Sequence, residues 1–366
     1  MIPLLLLVSV QRTAGTVVIR GEGYALVVSV ERGEFDFLLR LPGGDFVSVV
    51  RQGGEKFWFG YNDPGGERRS DRNSPLKLTV RRLGRKAEVE VLCPVDPEAG
   101  SLHRAVYIAL PKFVVVRSKI VKGAFRGKAS IVRVAPRADI DISLLTHFAF
   151  SAPGGKVVAG EVHKLGRPGY AGVLPWGGPI VADSLDPKAP FFALYNPKRE
   201  VGFLLLYPFY DRFWFWANHH IFLQLWRWGT NFLYCGFGGE GFFDKEFLFV
   251  LAPAEAFNPE GLKGQALRLT KFVEEAVRKG EIHCPRLRKH LQAEAEFPRL
   301  FKEVRRLWEG LVKGLIEGKI DASTGLSTLR RVNFLLSLAY MAMEKGDVEE
   351  ALSLLREAVT ALKERQ

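Results

Sequence analysis

The chain has 366 residues, of which 47% are hydrophobic and 25% are charged, and it carries a net charge of +12. This composition is typical of soluble globular proteins and argues against a disordered chain, a collagen-like repeat or a membrane bundle. A chain of this length is expected to form two structural units.

Residues 1–10 form an almost entirely apolar run, MIPLLLLVSV. No basic residue precedes this run and no obvious small-x-small cleavage site follows it, although a secretory signal peptide normally has both. We therefore expect a buried first strand here, with a remnant or atypical signal peptide as the alternative. No apolar run in the chain reaches the roughly 18 residues needed to span a bilayer.

Short extended segments follow one another from residue 16 to about residue 253. They are rich in β-branched and aromatic residues, and Gly or Pro turn signals separate them, which predicts antiparallel strands. The stretch 191–253 is the most hydrophobic. The pattern predicts an all-β large antiparallel sandwich made of two sheets packed face to face. The clearest strands in the first third are predicted at 17–19, 24–30, 35–41, 46–50, 76–81, 88–92, 106–110 and 113–121.

After Pro253 the apolar residues recur with the 3.6-residue helical period. Helices are predicted at 262–279, at 297–318 beginning after Pro298, at 327–344 and at 348–363. The last two, within 326–364, are similar to one tetratricopeptide-repeat hairpin, which as a single copy is expected to pack on its neighbours as a helical cap or bundle. We therefore predict a β-domain at 1–255 and an α-helical C-terminal domain at 256–366.

The positive charge is concentrated between residues 51 and 137, which contain 19 basic and 8 acidic residues. Such a field favours an anionic partner, for example an acidic polysaccharide. The alternative is a solvated Lys- and Arg-rich surface of the kind common in thermophile proteins.

No cofactor signature occurs in the chain. Neither a phosphate-binding P-loop nor a strand–G-x-G-x-x-G–helix arrangement is present, so no nucleotide cofactor is expected. Cys93, Cys235 and Cys284 are widely spaced and form no C-x-x-C pair, which argues against a metal site or a disulfide framework. Three buried thiols suit a reducing compartment and slightly favour a cytoplasmic location over a secreted one.

The segment 210–220 offers the most varied set of polar side chains. It combines a phenol, a guanidinium, an amide and imidazoles, from Tyr210, Arg212, Asn218 and the pair His219 and His220. Histidine suits proton transfer near neutral pH, and Arg and Asn can stabilise a developing anion. Adjacent strand residues face opposite sides, so one histidine of the pair points into any shared cleft. Structural histidines beside aromatic packing are the alternative.

Further polar candidates lie on predicted strands and loops. His147 follows Asp139 and Asp141, two carboxylates predicted to share one strand face. Paired carboxylates can hold a cation or raise a pKa, and the alternative is that both are simply solvent-exposed. Glu161 and His163 alternate onto one face and are candidate substrate-binding residues.

Other candidates come from a loop and from the tryptophans. Glu240 lies in a Gly-rich loop and is a candidate carboxylate base, unless that loop is a plain hairpin turn. Indole rings stack on the apolar faces of sugars or fill a core. The relevant tryptophans are Trp58, Trp176, Trp214, Trp216, Trp226 and Trp228, of which Trp176, Trp214 and Trp226 are the candidate substrate-binding residues.

The order of elements resembles the galactose-mutarotase-like supersandwich of aldose epimerases, several polysaccharide lyases and accessory domains of glycoside hydrolases. The resemblance covers about residues 16–255 and rests on LLTHFAF at 144–150, FALYNP at 192–197 followed by VGFLL, Gly239-Glu240 and a final strand at 247–251. It implies a histidine acid and a glutamate base in epimerases, or His, Tyr, Asn and Arg acting on a uronate in lyases. His147 matches the H-x-Y-F region of the family only after a one-residue slip.

These patterns predict a carbohydrate-active protein that binds or acts on a sugar. If the basic residues between 51 and 137 take part in binding, the sugar is expected to be anionic. As an enzyme it would use proton transfer, for epimerisation or β-elimination. His147 and His219 are then acid/base candidates, Glu240 a base and Arg212 an anion stabiliser. The alternatives are a non-catalytic carbohydrate-binding module, or a structural protein that docks a protein partner through its helical C-terminus.

Overall fold

The computed structural model describes residues 8–127, 129, 131–164, 180–181, 185–186, 188–208, 221–226, 232–238, 243–244, 246–344 and 347–364. The chain divides into two compact units, Met1–Phe272 and Val273–Gln366. The domain boundary expected near residue 255 stays a prediction.

Antiparallel strands make up most of the first unit. In chain order they are β1 (Ser9–Arg12), β2 (Thr16–Arg20), β3 (Tyr24–Ser29), β4 (Glu34–Arg40), β5 (Phe46–Ser48), β6 (Phe57–Asp63), β7 (Gly66–Arg69), β8 (Lys77–Leu83), β9 (Lys86–Asp96), β10 (Ser101–Ala109), β11 (Val114–Val121), β12 (Ile131–Asp139), β13 (His147–Ala152), β14 (Lys156–Glu161), β15 (Ile180–Val181), β16 (Phe191–Asn196), β17 (Val201–Leu206), β18 (Ile221–Trp226), β19 (Phe232–Gly238) and β20 (Glu246–Pro253).

These strands form two large sheets. The first has the order β1-β2-β3-β4-β6-β12-β19-β18-β15, with β5 paired to β4 and β7 paired to β6. The second has the order β14-β13-β16-β17-β20-β11-β10-β9-β8. The predicted all-β antiparallel sandwich followed by helices is confirmed.

The core lies between the two sheets. Alternate residues of β4 and β9 are buried, as expected when one face of a strand packs on another sheet. Aromatic rings then meet across the layers. Phe35 of β4 lies 5.3 Å from Tyr107 of β10, and Phe37 lies 6.3 Å from Phe203 of β17, measured between ring centroids.

The first strand differs from the prediction. The described part, Ser9–Arg12, is half-buried or exposed, so the expectation of a buried strand is wrong for Ser9 and Val10. The reason is position, because β1 is an edge strand that pairs only with β2 within the described sheet. Residues 1–7 lie outside the described residues.

Four helices follow the last strand: α1 (Pro259–Lys279), α2 (Pro285–Ile316), α3 (Ala322–Glu344) and α4 (Val348–Lys363). Gly280 follows α1 with φ of +80°, the left-handed conformation that commonly ends a helix. The carboxylate of Asp347 caps α4 by accepting a hydrogen bond from the backbone N–H of Glu350. Within the described residues, no helix is both long enough and apolar enough to cross a membrane.

Helix α2 begins before its predicted start. Pro298 was expected to precede the helix and instead lies inside it. Leu287 and Leu291, one turn apart, are both buried, and this packing explains why the helix extends towards Pro285. The second unit has its own apolar core, which α4 forms with α2 and α3. Its buried leucines are Leu300, Leu307, Leu311, Leu335, Leu352, Leu355 and Leu362.

Candidate functional site

Three side chains meet at one end of the second sheet because of strand register. His147 opens β13 and pairs directly with Glu161, the last residue of β14. On its other side His147 pairs with Tyr195 of β16. Direct partners in antiparallel strands project from the same face of a sheet, so these side chains lie next to one another. We call His147, Glu161, His163, Lys164 and Tyr195 the edge cluster.

Glu161 is held by two side chains from the turn that follows it. Lys164 donates to its Oε1 from Nζ at 2.7 Å, and the Nε2 atom of His163 lies 3.1 Å from Oε2. The short 3-10 turn Val162–Lys164 brings both side chains back onto the carboxylate. Val162 anchors this turn, since its side chain is buried and its N–H donates to the carbonyl of Thr146.

The charge on Glu161 is favoured by this arrangement. The hydrogen bond from Lys164 is the main reason that the pKa of Glu161 lies below its usual value. Its side chain is 34% exposed, so a ligand in solvent can reach the carboxylate. Glu161 is therefore an ionised, accessible acceptor.

His147 has the opposite preference for charge. Partial burial lowers the pKa of His147, with Lys164 and Lys198 lowering it further, while the carboxylate of Glu161 raises it. The Nδ1 atom lies 2.9 Å from the hydroxyl of Thr146, and the ring centroid lies 5.4 Å from that of Tyr195. A neutral imidazole beside an ionised carboxylate is a pair that can accept a proton and stabilise the imidazolium formed.

The structure brings His147 next to Glu161 and His163. The prediction that Glu161 and His163 share a strand face is wrong, because β14 ends at Glu161 and His163 lies in the turn that follows. The structure also adds Lys164 and Tyr195, which sequence reasoning missed. Lys164 follows Glu161 by three residues, a spacing that a short helical turn converts into contact. No sequence signal links Tyr195 to His147, because their pairing depends on the register of β13 and β16.

Most of the other predicted site residues lie outside the described residues. These are Tyr210, Arg212, Asn218, His219, Glu240, Trp176 and Trp214, and they stay predictions. Trp226 is the last residue of β18 in the first sheet.

The two aspartates predicted to share a strand face have separate roles. Strand β12 ends at Asp139, so Asp141 lies beyond it, and the prediction of one shared strand is wrong. Asp139 is buried and its Oδ2 accepts the backbone N–H of Glu55 at 3.1 Å. The Oδ1 of Asp141 accepts from the backbone of Ser143 and Leu144 and shapes the turn that leads to β13. Among the described residues, no group of three His, Cys, Asp or Glu side chains is arranged to hold a metal ion.

Many basic residues between 51 and 137 are paired with carboxylates. Arg69 lies within 2.7 Å of Glu55 and also contacts Asp71, and Arg137 contacts Glu67 at 2.6 Å. Ion pairing of this kind reduces the field available to an anionic ligand. The paired basic residues include Arg51, Arg68, Arg69, Lys77, Arg81, Arg104, Arg117, Lys119 and Arg137.

Trp58 belongs to the core. It is completely buried, and the guanidinium carbons of Arg69 and Arg137 lie 4.3 Å and 5.3 Å from its ring centroid. Its indole N–H donates to Glu55 at 3.2 Å. For this tryptophan, the core interpretation is the correct one.

Comparison with known proteins gives structural likenesses at low identity. No family model matches the chain, and no curated protein matches it. Similar solved structures include YidC from Thermotoga maritima (15% identity, TM-score 0.32, covering 76% of this chain and 58% of that chain). They also include the α-N-acetylgalactosaminidase NagBb from Bifidobacterium bifidum (12%, 0.46, 77% and 41%) and the GalM/aldose epimerase homologue from C. elegans (9%, 0.36, 67% and 100%). The chain thus spans about half the length of the first two and all of the third.

Proposed function

We propose that the chain is a carbohydrate-active protein that binds a sugar at the edge cluster and transfers a proton there. The register that places His147 between Glu161 and Tyr195 is the observation that carries this proposal. On one sheet face this register places a proton acceptor, His147, beside the negative charge of Glu161 and the aromatic ring of Tyr195.

In this proposal the neutral imidazole of His147 accepts a proton from the bound sugar. Glu161 stays ionised and stabilises the imidazolium, since its charge favours the protonated form of His147. In epimerisation the planar intermediate turns its other face to the imidazolium, which then returns the proton to the same carbon. In β-elimination the imidazolium gives the proton to the leaving group. Tyr195 orients the imidazole from the neighbouring strand.

A thermal-shift screen against neutral and uronic-acid oligosaccharides tests the proposal, because a ligand that binds only the folded state raises the melting temperature. We expect a sugar that raises the melting temperature and is converted to product by the wild type. His147→Gln and Glu161→Gln should abolish conversion. The control is His283→Gln, which removes an exposed imidazole between α1 and α2. The absence of any sugar-dependent shift would overturn the proposal.

The same screen separates the enzyme from a non-catalytic carbohydrate-binding module. A module would show sugar-dependent stabilisation without product, and the stabilisation would survive in His147→Gln. Circular dichroism of each variant checks that the fold is kept.

One observation favours a second function, the docking of a protein partner by the helical unit. Leu326, Phe334 and Met341 of α3 are 53%, 63% and 50% exposed. At 100° per residue they fall within an arc of about 80°, so they form an apolar stripe on one side of the helix. Loss of co-purifying protein in a Phe334→Ser, Met341→Ser double variant, with no sugar effect in the wild type, would support this function instead.

A further inference from the structure

A cleft of about 400 Å³ opens at one end of the sandwich, where turns from both sheets meet. The first sheet contributes the β2–β3 and β4–β5 turns. The second sheet contributes the β10–β11 and β16–β17 turns and the end of β20. Convergent loops at the end of a rigid sandwich are a common place for binding sites. The lining residues that matter here are Glu22, Arg40, Lys112, Glu200, Pro253 and Phe257.

Hydrogen bonds between the turns hold the cleft in shape. The hydroxyl of Tyr24 donates to the carbonyl of Leu110 at 2.6 Å, and the backbone N–H of Glu22 donates to the carbonyl of Pro111 at 2.6 Å. Gly21 permits this contact, because a Cβ there would come within 2.6 Å of the same carbonyl of Pro111. The two sheets are therefore joined directly beside the cleft, and a ligand meets a preformed site.

The charged groups of the cleft are the feature that points to a ligand. Within the described part of the chain, the side chains of Glu22, Arg40, Lys112 and Glu200 form neither a hydrogen bond nor an ion pair. Glu255, at the rim, is paired with Arg268 at 2.9 Å. Two unpaired cations and two unpaired carboxylates thus line one cleft, in contrast to the paired basic residues elsewhere in the unit.

Glu200 occupies its place at an energetic cost. Its φ is +49°, in the left-handed region that glycine adopts freely and that is unfavourable for residues with a side chain. The turn is otherwise well supported, since Oδ1 of Asn196 accepts from the backbone of Lys198 and Arg199. A glycine would adopt this backbone conformation more easily. The advantage of a glutamate at this position therefore lies in its carboxylate, which lines the cleft.

The mixture of groups selects the class of ligand. A polyanion would be repelled by Glu22 and Glu200, and a purely apolar ligand would leave four charges unpaired and desolvated. A polyhydroxylated ligand suits the set, because each hydroxyl donates to a carboxylate or accepts from a cation. The ring of Phe257 and Pro253 offer the apolar contact that the C–H faces of a sugar require.

The cleft and the edge cluster lie at the same end of the second sheet. There the strands follow in the order β14, β13, β16, β17, β20 and β11, and their ends carry in turn Glu161, His147, Tyr195, Glu200, Pro253 and Lys112. At about 4.8 Å per strand, this row is roughly 24 Å long, which suits an extended ligand better than a single sugar.

We propose that this cleft binds a neutral oligosaccharide whose chain extends along the end of the second sheet to the edge cluster. The inference rests on the proposed function and names its substrate class, a neutral oligomer. Because a neutral sugar lacks the carboxyl group that acidifies the proton removed in β-elimination, this substrate class leaves epimerisation as the reaction. The cleft acts as the remote binding region, and the edge cluster receives the reacting unit.

Isothermal titration calorimetry with neutral sugars, from monosaccharide to hexasaccharide, tests this. The variants are Glu22→Gln, Arg40→Met and Lys112→Met. Arg126→Met is the matched control, an exposed arginine beyond the opposite end of β11. We expect each cleft variant to lose at least ~10-fold in affinity for the longest sugars, the loss typical of hydrogen bonds to charged groups. Affinity for monosaccharides should not change.

The outcomes separate the two proposals. In one outcome the cleft variants bind every sugar with wild-type affinity while His147→Gln still loses conversion. This result would overturn the proposed binding site in the cleft and leave the proposed function standing. Weakened binding in the cleft variants without conversion by the wild type supports the cleft and removes the proton-transfer function. Binding of uronic-acid oligosaccharides alone overturns the neutral ligand, and binding of no sugar overturns both proposals.

Discussion

The imidazole of His103 stacks on the ring of Phe59 between the two sheets, with ring centroids 3.8 Å apart and planes inclined by 21°. Its Nε2 atom lies 3.0 Å from the hydroxyl of Ser118, and only 2% of the residue is exposed. Burial lowers the pKa of His103 from 6.5 to about 3. This histidine, which sequence analysis did not single out, is a neutral part of the core.

Stability should therefore fall in mild acid because of His103. The unfolded chain takes up a proton near pH 6.5 and the folded chain only near pH 3, so the stabilisation is complete above pH 6.5 and is lost as the pH falls between these values. The expected slope from this group is about 1.4 kcal/mol per pH unit. Urea unfolding between pH 4 and 7 should show a shallower dependence in His103→Gln than in the wild type. Equal slopes would contradict the assignment, and His283→Gln is the control for loss of an imidazole.

The Arg69 network should be important for stability. Arg69 is 7% exposed, lies over the ring of Trp58 and contacts the carboxylates of Glu55 and Asp71. Arg69→Met removes the buried cation that both carboxylates contact, which should lower the free energy of unfolding by about 3–5 kcal/mol. Arg81→Met breaks an exposed pair with Glu88 and should cost less than about 1 kcal/mol. Chemical denaturation of both variants measures the two free energies of unfolding. Similar decreases in the two variants would show that the buried Arg69 network stabilises the fold no more than an exposed ion pair does.

Gly60 should not tolerate a side chain. It lies in β6 opposite Arg69 of β7, and a Cβ there would overlap the carbonyl oxygen of Arg68. Gly60→Ala must displace backbone and is expected to cost about 1–3 kcal/mol or more. Gly43→Ala, where a Cβ meets nothing within 4 Å, is the matched control. Differential scanning calorimetry should give a clear drop in melting temperature for the first variant only.

The electrostatics of the edge cluster can be measured through His147. The carboxylate of Glu161 raises the pKa of His147 and the ammonium of Lys198 lowers it. Glu161→Gln should therefore move the pKa of His147 down, and Lys198→Met should move it up. Titration of the imidazole C–H resonances by NMR gives both shifts, with the exposed Glu31→Gln as control. Shifts of the same sign in the two variants would disprove the proposed arrangement.

Local pattern was enough to predict the architecture. The strand predicted at 88–92 lies within β9, and the helical period after Pro253 appears as α1 to α4. These features depend on neighbours within a few residues, which the order of amino acids states directly. The prediction failed at α2, where the packing of Leu287 and Leu291 outweighed the signal of Pro298.

The order of amino acids is enough to predict the antiparallel sheets, the helical end and the residue types suited to proton transfer. Which of those residues meet depends on how the chain folds. His147 and Glu161 are brought together by the register of two strands, Arg137 meets Glu67 across seventy positions, and the cleft needs turns from both sheets. Such contacts depend on which strands pair and in what register, and this choice minimises the free energy of the whole core, whereas periodicity reports only on neighbouring residues.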